Sequence, residues 1–139
     1  MFKKINLQFV LSYLGLLPLF FVIFDKFFFK SLEYNIVNDF SIFYSIIIFV
    51  FIGAINWNLK KNISILTILI GFIPSLVSVL IILMFLYSYE VINYLIILFI
   101  IQLLLDNFIY IEQNSRYVFY QLRIPLTFIV ILYLILIQF

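Results

Sequence analysis

The chain has 139 residues, of which 68% are apolar and only 10% charged, and its mean hydropathy is +1.32. A soluble domain carries about 25% charged residues, and a chain this short cannot hide such an apolar excess from water. With no cysteine and no histidine, the chain cannot form disulfides, zinc–thiolate sites, His-ligated haem, or Ser-His and Cys-His nucleophile pairs. We expect no metal and no cofactor, and the net charge of +2 is too small for a nucleic-acid binder.

Cutting the chain at its charged residues predicts five apolar segments, each able to cross a hydrocarbon core of about 30 Å as a helix. The segments are residues 7–24, 40–59, 63–87, 91–110 and 119–138. They are continuously apolar rather than alternating, which argues against strands. The predicted fold is therefore all-α, a single integral membrane bundle of five transmembrane helices. The longest connection, Asp25–Asp39, is too apolar for a solvated loop, so we expect it to lie along the membrane interface.

The positions of the basic residues predict the orientation of the bundle. Six of them would share the face that carries the N-terminus, namely Lys3, Lys4, Lys60, Lys61, Arg116 and Arg123. Only Lys26 and Lys30 would lie on the opposite face. The N-terminus is therefore predicted to be cytoplasmic and the C-terminus outside. We expect a multi-pass protein of a bacterial inner (cytoplasmic) membrane, with the mitochondrial inner membrane as the alternative.

Polar side chains within the spans concentrate in the half predicted to be cytoplasmic, where each is costly unless it finds a partner. This candidate polar cluster comprises Ser12, Tyr13, Asn56, Trp57, Thr67, Asp106, Asn107, Arg123 and Thr127. Asp106 follows Val91 by 15 residues, about 22 Å along a helix, which places it at the height of Arg123. The two could form an ion pair that joins spans four and five. The alternatives are that each side chain snorkels to the interface, or that the two take part in proton movement or substrate binding.

Three prolines and one small-residue pair bear on how the helices pack. Pro18 and Pro74 fall near the middle of their spans, where each removes a backbone donor and frees a carbonyl. Interrupted helices at matching depth mark substrate sites in some transporters, but plain kinks are the commoner cause. Pro125 lies in the first turns of span five, where proline is better tolerated. Gly53 and Ala54 precede Asn56 and favour a close helix–helix seam there.

Several short motifs occur in order along the chain, from Leu14-Gly15-Leu16-Leu17-Pro18 through Gly53-Ala54-Ile55-Asn56-Trp57, Pro74-Ser75 and Leu105-Asp106 to Leu122-Arg123 and Leu126-Thr127. Together they resemble the transmembrane-protein-69-like family of short multi-pass membrane proteins, whose function is unknown. The resemblance implies a compact helical bundle and supplies no reaction. Its motif residues here are Pro18, Asn56, Trp57, Asp106 and Arg123. The chain departs from the family pattern by having Asn56 and Asn58 where that pattern has histidine and glycine, so no proton-handling histidine operates here.

The sequence thus favours a non-enzymatic accessory subunit or assembly factor of a membrane complex. Its partners would be the lipid bilayer and other membrane subunits, or further copies of itself. The alternative is a small transporter or permeation pathway that uses the polar cluster. An enzyme acting on a lipid or a quinone is the remaining hypothesis, and it lacks a visible second acid–base group.

Overall fold

The computed structural model describes residues 7–55, 65–112 and 116–139, and every regular element within them is helical. The α-helices are α1 (Leu7–Leu14), α2 (Leu17–Phe24), α3 (Tyr34–Ile55), α4 (Ile65–Leu86), α5 (Ile92–Glu112), α6 (Arg116–Val118) and α7 (Ile124–Gln138). Two π-helical turns, Asp25–Phe29 and Phe119–Arg123, follow α2 and precede α7. Five stretches of these residues are long and apolar enough to cross a membrane, namely Val10–Phe29, Tyr34–Ala54, Ile65–Leu86, Ile92–Tyr110 and Arg116–Gln138. The predicted all-α membrane fold with five spanning helices is confirmed.

Hydrogen bonds show the relative directions of the first span, α3 and α7. On α3, Ser41 meets Tyr133 and Ile52 meets Arg123, so α3 is antiparallel to α7. The first span is parallel to α7, because Tyr13 bonds at one end of the bundle and Lys26 bonds to the Ile137 carbonyl at the other. We call these two ends the Arg123 end and the Gln138 end. The described chain therefore begins at the Arg123 end and finishes at the Gln138 end.

Helices α3 and α7 form the centre of the bundle. In the most apolar 18-residue stretch of each span, the buried share is 50% for α3 and 44% for the last span. The corresponding share is 22% for the first span and 28% for each of α4 and α5. At the α3–α4 contact the backbones approach closely, since a Cβ added to Gly53 would lie 2.6 Å from Pro74 Cγ. Only glycine fits there. The small-residue seam expected at Gly53 is thus made with α4, while Asn56 and Trp57 lie outside the described residues.

The predicted extent of the connection between the first two spans, Asp25–Asp39, is wrong. Asp25–Phe29 continues the first span as a π-helical turn and α3 begins at Tyr34, so the connection contains only residues 30–33. Asp25 does not end the helix because its buried carboxylate is satisfied locally: it accepts hydrogen bonds from the Ser31 hydroxyl and from the Ser31 and Leu32 amides. Lys30 takes a left-handed conformation (φ 51°), and its amide donates to the Asp25 carbonyl at 2.6 Å, which closes the turn.

The three prolines have different local effects. Pro18 lies just after a break, because α1 ends at Leu14 and α2 begins at Leu17. Pro74 lies inside α4, which continues through it from Ile65 to Leu86. Pro125 lies in the first turn of α7, directly after the π-helical turn, and the carbonyl four residues before it, that of Gln121, accepts a hydrogen bond from the Tyr13 hydroxyl. The two mid-span prolines therefore do not make a matched pair of interrupted helices.

Candidate polar site within the bundle

The structure brings Asp106 and Arg123 together inside the bundle. Asp106 lies on α5 and is 1% exposed, while Arg123 is the last residue of the π-helical turn before α7 and is 2% exposed. Arg123 Nε lies 3.5 Å from Asp106 Oδ2. Both charges are enclosed by protein, so neither side chain snorkels to the interface. The pair instead joins the fourth and fifth spans.

Neighbouring groups complete a hydrogen-bonded network around this pair. Gln102, one turn before Asp106 on α5, donates from Nε2 to Asp106 Oδ1 at 2.9 Å. Arg123 donates from Nε to the Tyr110 hydroxyl at 3.1 Å and from an Nη atom to the Ile52 carbonyl at 2.9 Å. Its Cζ also lies 5.6 Å from the centroid of the Tyr110 ring, within the range of a cation–π contact. The network therefore joins α3, α5 and the start of α7.

Sequence reasoning missed Gln102 and Tyr110, although a signal for both was present. They precede and follow Asp106 by four residues, so a helix places all three side chains on one face. The wide π-helical turn at Phe119–Arg123 was not visible in the sequence. Such turns often occur where a helix must position a functional side chain, and here one ends at the arginine.

The other predicted cluster members are spread over several helices. Thr67 on α4 and Thr127 on α7 are buried, whereas Ser12 on α1 and Asn107 on α5 are half-buried. Ser12 lines a crevice of about 240 Å³ between α1 and α3, and Arg123 forms part of the wall of the same crevice. Asn56 and Trp57 lie outside the described residues.

Two tyrosine hydroxyls donate to carbonyls at interruptions in the helical hydrogen bonding. The Leu19 amide, the ordinary partner of the Gly15 carbonyl, donates to the Leu16 carbonyl instead, and Pro125 has no amide hydrogen to donate to Gln121. The Tyr44 hydroxyl donates to the Gly15 carbonyl at 2.7 Å, at the break that precedes Pro18. The Tyr13 hydroxyl donates at 2.6 Å to the carbonyl of Gln121, four residues before Pro125. Because lipid offers no hydrogen bond, such carbonyls need a protein donor. Tyr13 therefore serves the packing of the first span against the start of the fifth rather than the network around Asp106.

A second buried polar layer lies nearer the Gln138 end. The Ser41 hydroxyl bonds to the Val37 carbonyl and to the hydroxyl of Tyr133, both at 2.5 Å. One turn further along α3, Ser45 is fully buried, and its hydroxyl has no hydrogen-bond partner among the described residues. Phe49 and Phe99 lie between the two layers, in edge-to-face contact at 5.4 Å between ring centroids. The two polar layers are thus separated by packed aromatic rings.

The chemistry available to the network follows from this geometry. Its carboxylate and its guanidinium are both occupied by protein partners, and the pair has no net charge. No group of three or more potential metal ligands occurs in residues 7–55, 65–112 and 116–139. The arrangement supports the joining of helices more directly than it supports turnover.

The family model described as "Protein of unknown function (DUF3429)" matches residues 6–139 of the chain. No curated protein and no solved structure matches it.

Proposed function

Since the chain belongs to the DUF3429 family, a family of unknown function, we propose its role from the geometry: a non-enzymatic accessory subunit or assembly factor of a membrane complex. The bundle would meet its partners mainly inside the bilayer. The resemblance of its motifs to the transmembrane-protein-69-like family is part of this proposal, as is the assignment to the inner membrane of a bacterium with a cytoplasmic N-terminus.

The observation that carries the proposal is the closed state of the polar network. A substrate site or an ion path needs charged groups that a ligand can reach, whereas Asp106 is 1% exposed and does not line the crevice between α1 and α3. Arg123 borders that crevice but is only 2% exposed, because its guanidinium is turned to protein partners. The partners of Asp106 and Arg123 lie on three different spans, so the network holds those spans in a fixed arrangement. A fixed bundle is what a subunit needs in order to present a constant surface to a partner.

The lateral surface supports the same proposal. In the first span, α4 and α5, roughly three-quarters of the most apolar 18-residue stretch is not buried in the bundle. Exposed side chains on these helices include Phe21, Leu76 and Ile101. In a bilayer such surfaces contact either acyl chains or the helices of another subunit, and helix association there depends on close packing.

Photocrosslinking from single positions tests this proposal. A photoreactive phenylalanine derivative is introduced separately at Phe21, Leu76 and Ile101, with the buried Val130 as the matched control. We expect one membrane protein to be captured from one of the three faces, and nothing from the control. A tryptophan at the capturing position should then abolish copurification in mild detergent, while a tryptophan on another face should not. Adducts with lipid alone from all three faces would contradict the proposal, and adducts between copies of the chain would identify a homo-oligomer.

Flux measurements test the transporter alternative. Vesicles containing the purified chain should remain as tight to protons, ions and small metabolites as empty vesicles, because aromatic side chains separate the two buried polar layers. A saturable flux that disappears in the Asp106→Asn variant, while that variant stays folded, would replace the accessory role by a transport role.

A further inference from the structure

A cavity of about 570 Å³ opens at the Gln138 end of the bundle. Three segments line this open cavity: the start of α3, the connection between α4 and α5, and the last turn of α7. Its floor is apolar and includes the buried Ile42 and Val91. The cavity is separate from the network around Asp106, which lies 13 residues, or about 20 Å, further along α5 than Asn93 at the cavity wall.

A specific turn builds one wall of the cavity. Helix α4 ends at Leu86, and two residues later Ser88 takes the left-handed conformation (φ 63°). The Ser88 amide donates to the Phe85 carbonyl, and the Tyr89 amide donates to the Met84 carbonyl. This is the Schellman pattern, in which glycine usually occupies the position that serine holds here. The turn directs the chain back across the end of α4, so that Tyr89 and Glu90 line the cavity.

The polar lining has a consistent chemical character. Glu90 supplies a carboxylate, Tyr34 and Tyr89 supply phenol rings, and Asn38, Asn93 and Gln138 supply amides. Glu90 and the two tyrosines are exposed residues, so a ligand can reach them from outside the bundle. Gln138 Nε2 donates to Asn93 Oδ1 at 3.2 Å, which ties the wall from α7 to the wall from α5. None of the described residues that line the cavity is basic.

Lys26 and Lys30 lie at the same end of the bundle, and neither is part of the lining. Lys26 donates to the Ile137 carbonyl at 2.5 Å, which holds its ammonium at the end of α7 rather than in the cavity. Glu90 forms no hydrogen bond or ion pair with any residue that the structure describes, so its carboxylate stays available to a ligand.

We propose that this cavity binds a small organic ammonium group, with Glu90 as its charge partner and the rings of Tyr34 and Tyr89 as its walls. Carboxylates attract ammonium groups directly, and aromatic faces are the usual surfaces for quaternary ammonium ligands. The amides accept hydrogen bonds from the N–H groups of a primary amine. The ammonium group belongs either to a soluble amine or to the headgroup of a surrounding lipid. This binding goes beyond the proposed accessory role and does not depend on it.

The test uses the full chain in nanodiscs of phosphatidylglycerol, which carries no ammonium group. Choline chloride is titrated against sodium chloride at equal ionic strength, and the melting temperature is followed through loss of helicity. Wild type is compared with Glu90→Gln and with Glu33→Gln, which makes the same chemical change at an exposed residue near the same end but outside the cavity. The melting temperatures without choline show that both variants fold.

We expect choline, unlike sodium, to raise the melting temperature of wild type and of Glu33→Gln in a saturable way. Loss of an exposed ion pair should weaken choline binding to Glu90→Gln by up to about fivefold. A wild-type response equal to that of sodium, or an undiminished response in Glu90→Gln, would overturn the proposal.

The same experiment in nanodiscs containing phosphatidylethanolamine distinguishes the two sources of the ammonium group. If a lipid headgroup fills the cavity, this lipid alone should stabilise wild type and Glu33→Gln more than Glu90→Gln, and choline should then add nothing. If the ligand is a soluble amine, the choline response should persist in both lipids.

Discussion

Breaking the Asp106–Arg123 pair gives the sharpest test of the view that the polar network holds the bundle together. Replacing either member alone, as in Asp106→Asn or Arg123→Leu, leaves the other side chain enclosed without its charge partner. Removal of one member of a buried pair costs about 3–5 kcal/mol in soluble proteins. We expect about 3 kcal/mol for each single variant here, because the remaining groups keep some of their hydrogen bonds to Gln102, Tyr110 and the Ile52 carbonyl.

The coupling between the two residues can be bounded from their geometry. Two unit charges 3.5 Å apart interact by about 5 kcal/mol at an effective dielectric constant of about 20. Hydrogen-bond couplings between membrane helices average only about 0.6 kcal/mol and reach about 1.7 kcal/mol. The burial of both charges offsets much of the Coulomb attraction. We therefore expect the double variant to cost about 2 kcal/mol less than the sum of the two single variants.

Unfolding in mixed micelles at increasing fractions of sodium dodecyl sulfate, followed by helicity, provides the four free energies of the cycle. A matched cycle combines Asp106→Asn with Tyr133→Phe, which lies ten residues beyond Arg123 on α7, about 15 Å away along the helix. The control cycle should be additive within about 0.5 kcal/mol. Strict additivity in the Asp106–Arg123 cycle would refute the reasoning, as would single variants as stable as wild type.

Three further predictions concern helix packing and are checked by the same unfolding measurement. Tyr44→Phe should cost about 1 kcal/mol, since the Gly15 carbonyl loses its donor in lipid; no loss would mean that another donor replaces the hydroxyl. Gly53→Ala should lower the free energy of unfolding by about 1–3 kcal/mol through overpacking, because the new Cβ would lie 2.6 Å from a proline side chain on α4. In the control variant Gly15→Ala the nearest described atom lies 3.3 Å from the new Cβ. Equal losses of stability in the two variants would argue against the seam. Ser45→Ala should be neutral or stabilising, and Ser41→Ala should lower the free energy of unfolding by about 1 kcal/mol. The reason is that the Ser41 hydroxyl is hydrogen-bonded within the described residues, whereas the Ser45 hydroxyl is not. The reverse order would show that Ser45 has a partner.

The two candidate sites differ in how far the sequence could indicate them. The height of Asp106 and Arg123 along their helices follows from the constant rise per residue, so their meeting was predictable. That they meet in the interior rather than at the lipid surface depends on which face each helix turns inward. The order of side chains along a continuously apolar span does not specify that face, since lipid and core are equally apolar. The cavity at the Gln138 end was not predictable at all, because its walls come from Asn38, Glu90 and Gln138, which are far apart in the chain.

The boundaries of the spans show the same limit. Taking charged residues as the ends of helices predicts segments 63–87 and 91–110, which overlap α4 (Ile65–Leu86) and α5 (Ile92–Glu112). The rule that a charged residue ends a helix is wrong at Asp25, because a local turn satisfies its carboxylate and the first span continues to Phe29.

By itself the sequence determined that the protein forms five membrane-spanning helices. The transfer of apolar side chains from water into lipid and the internal pairing of backbone groups depend on composition and segment length alone. The tertiary structure alone decided which helices lie at the centre and which polar groups meet. Those outcomes depend on shape, as at the Gly53 seam, and on the rotation of each helix about its axis, neither of which composition encodes.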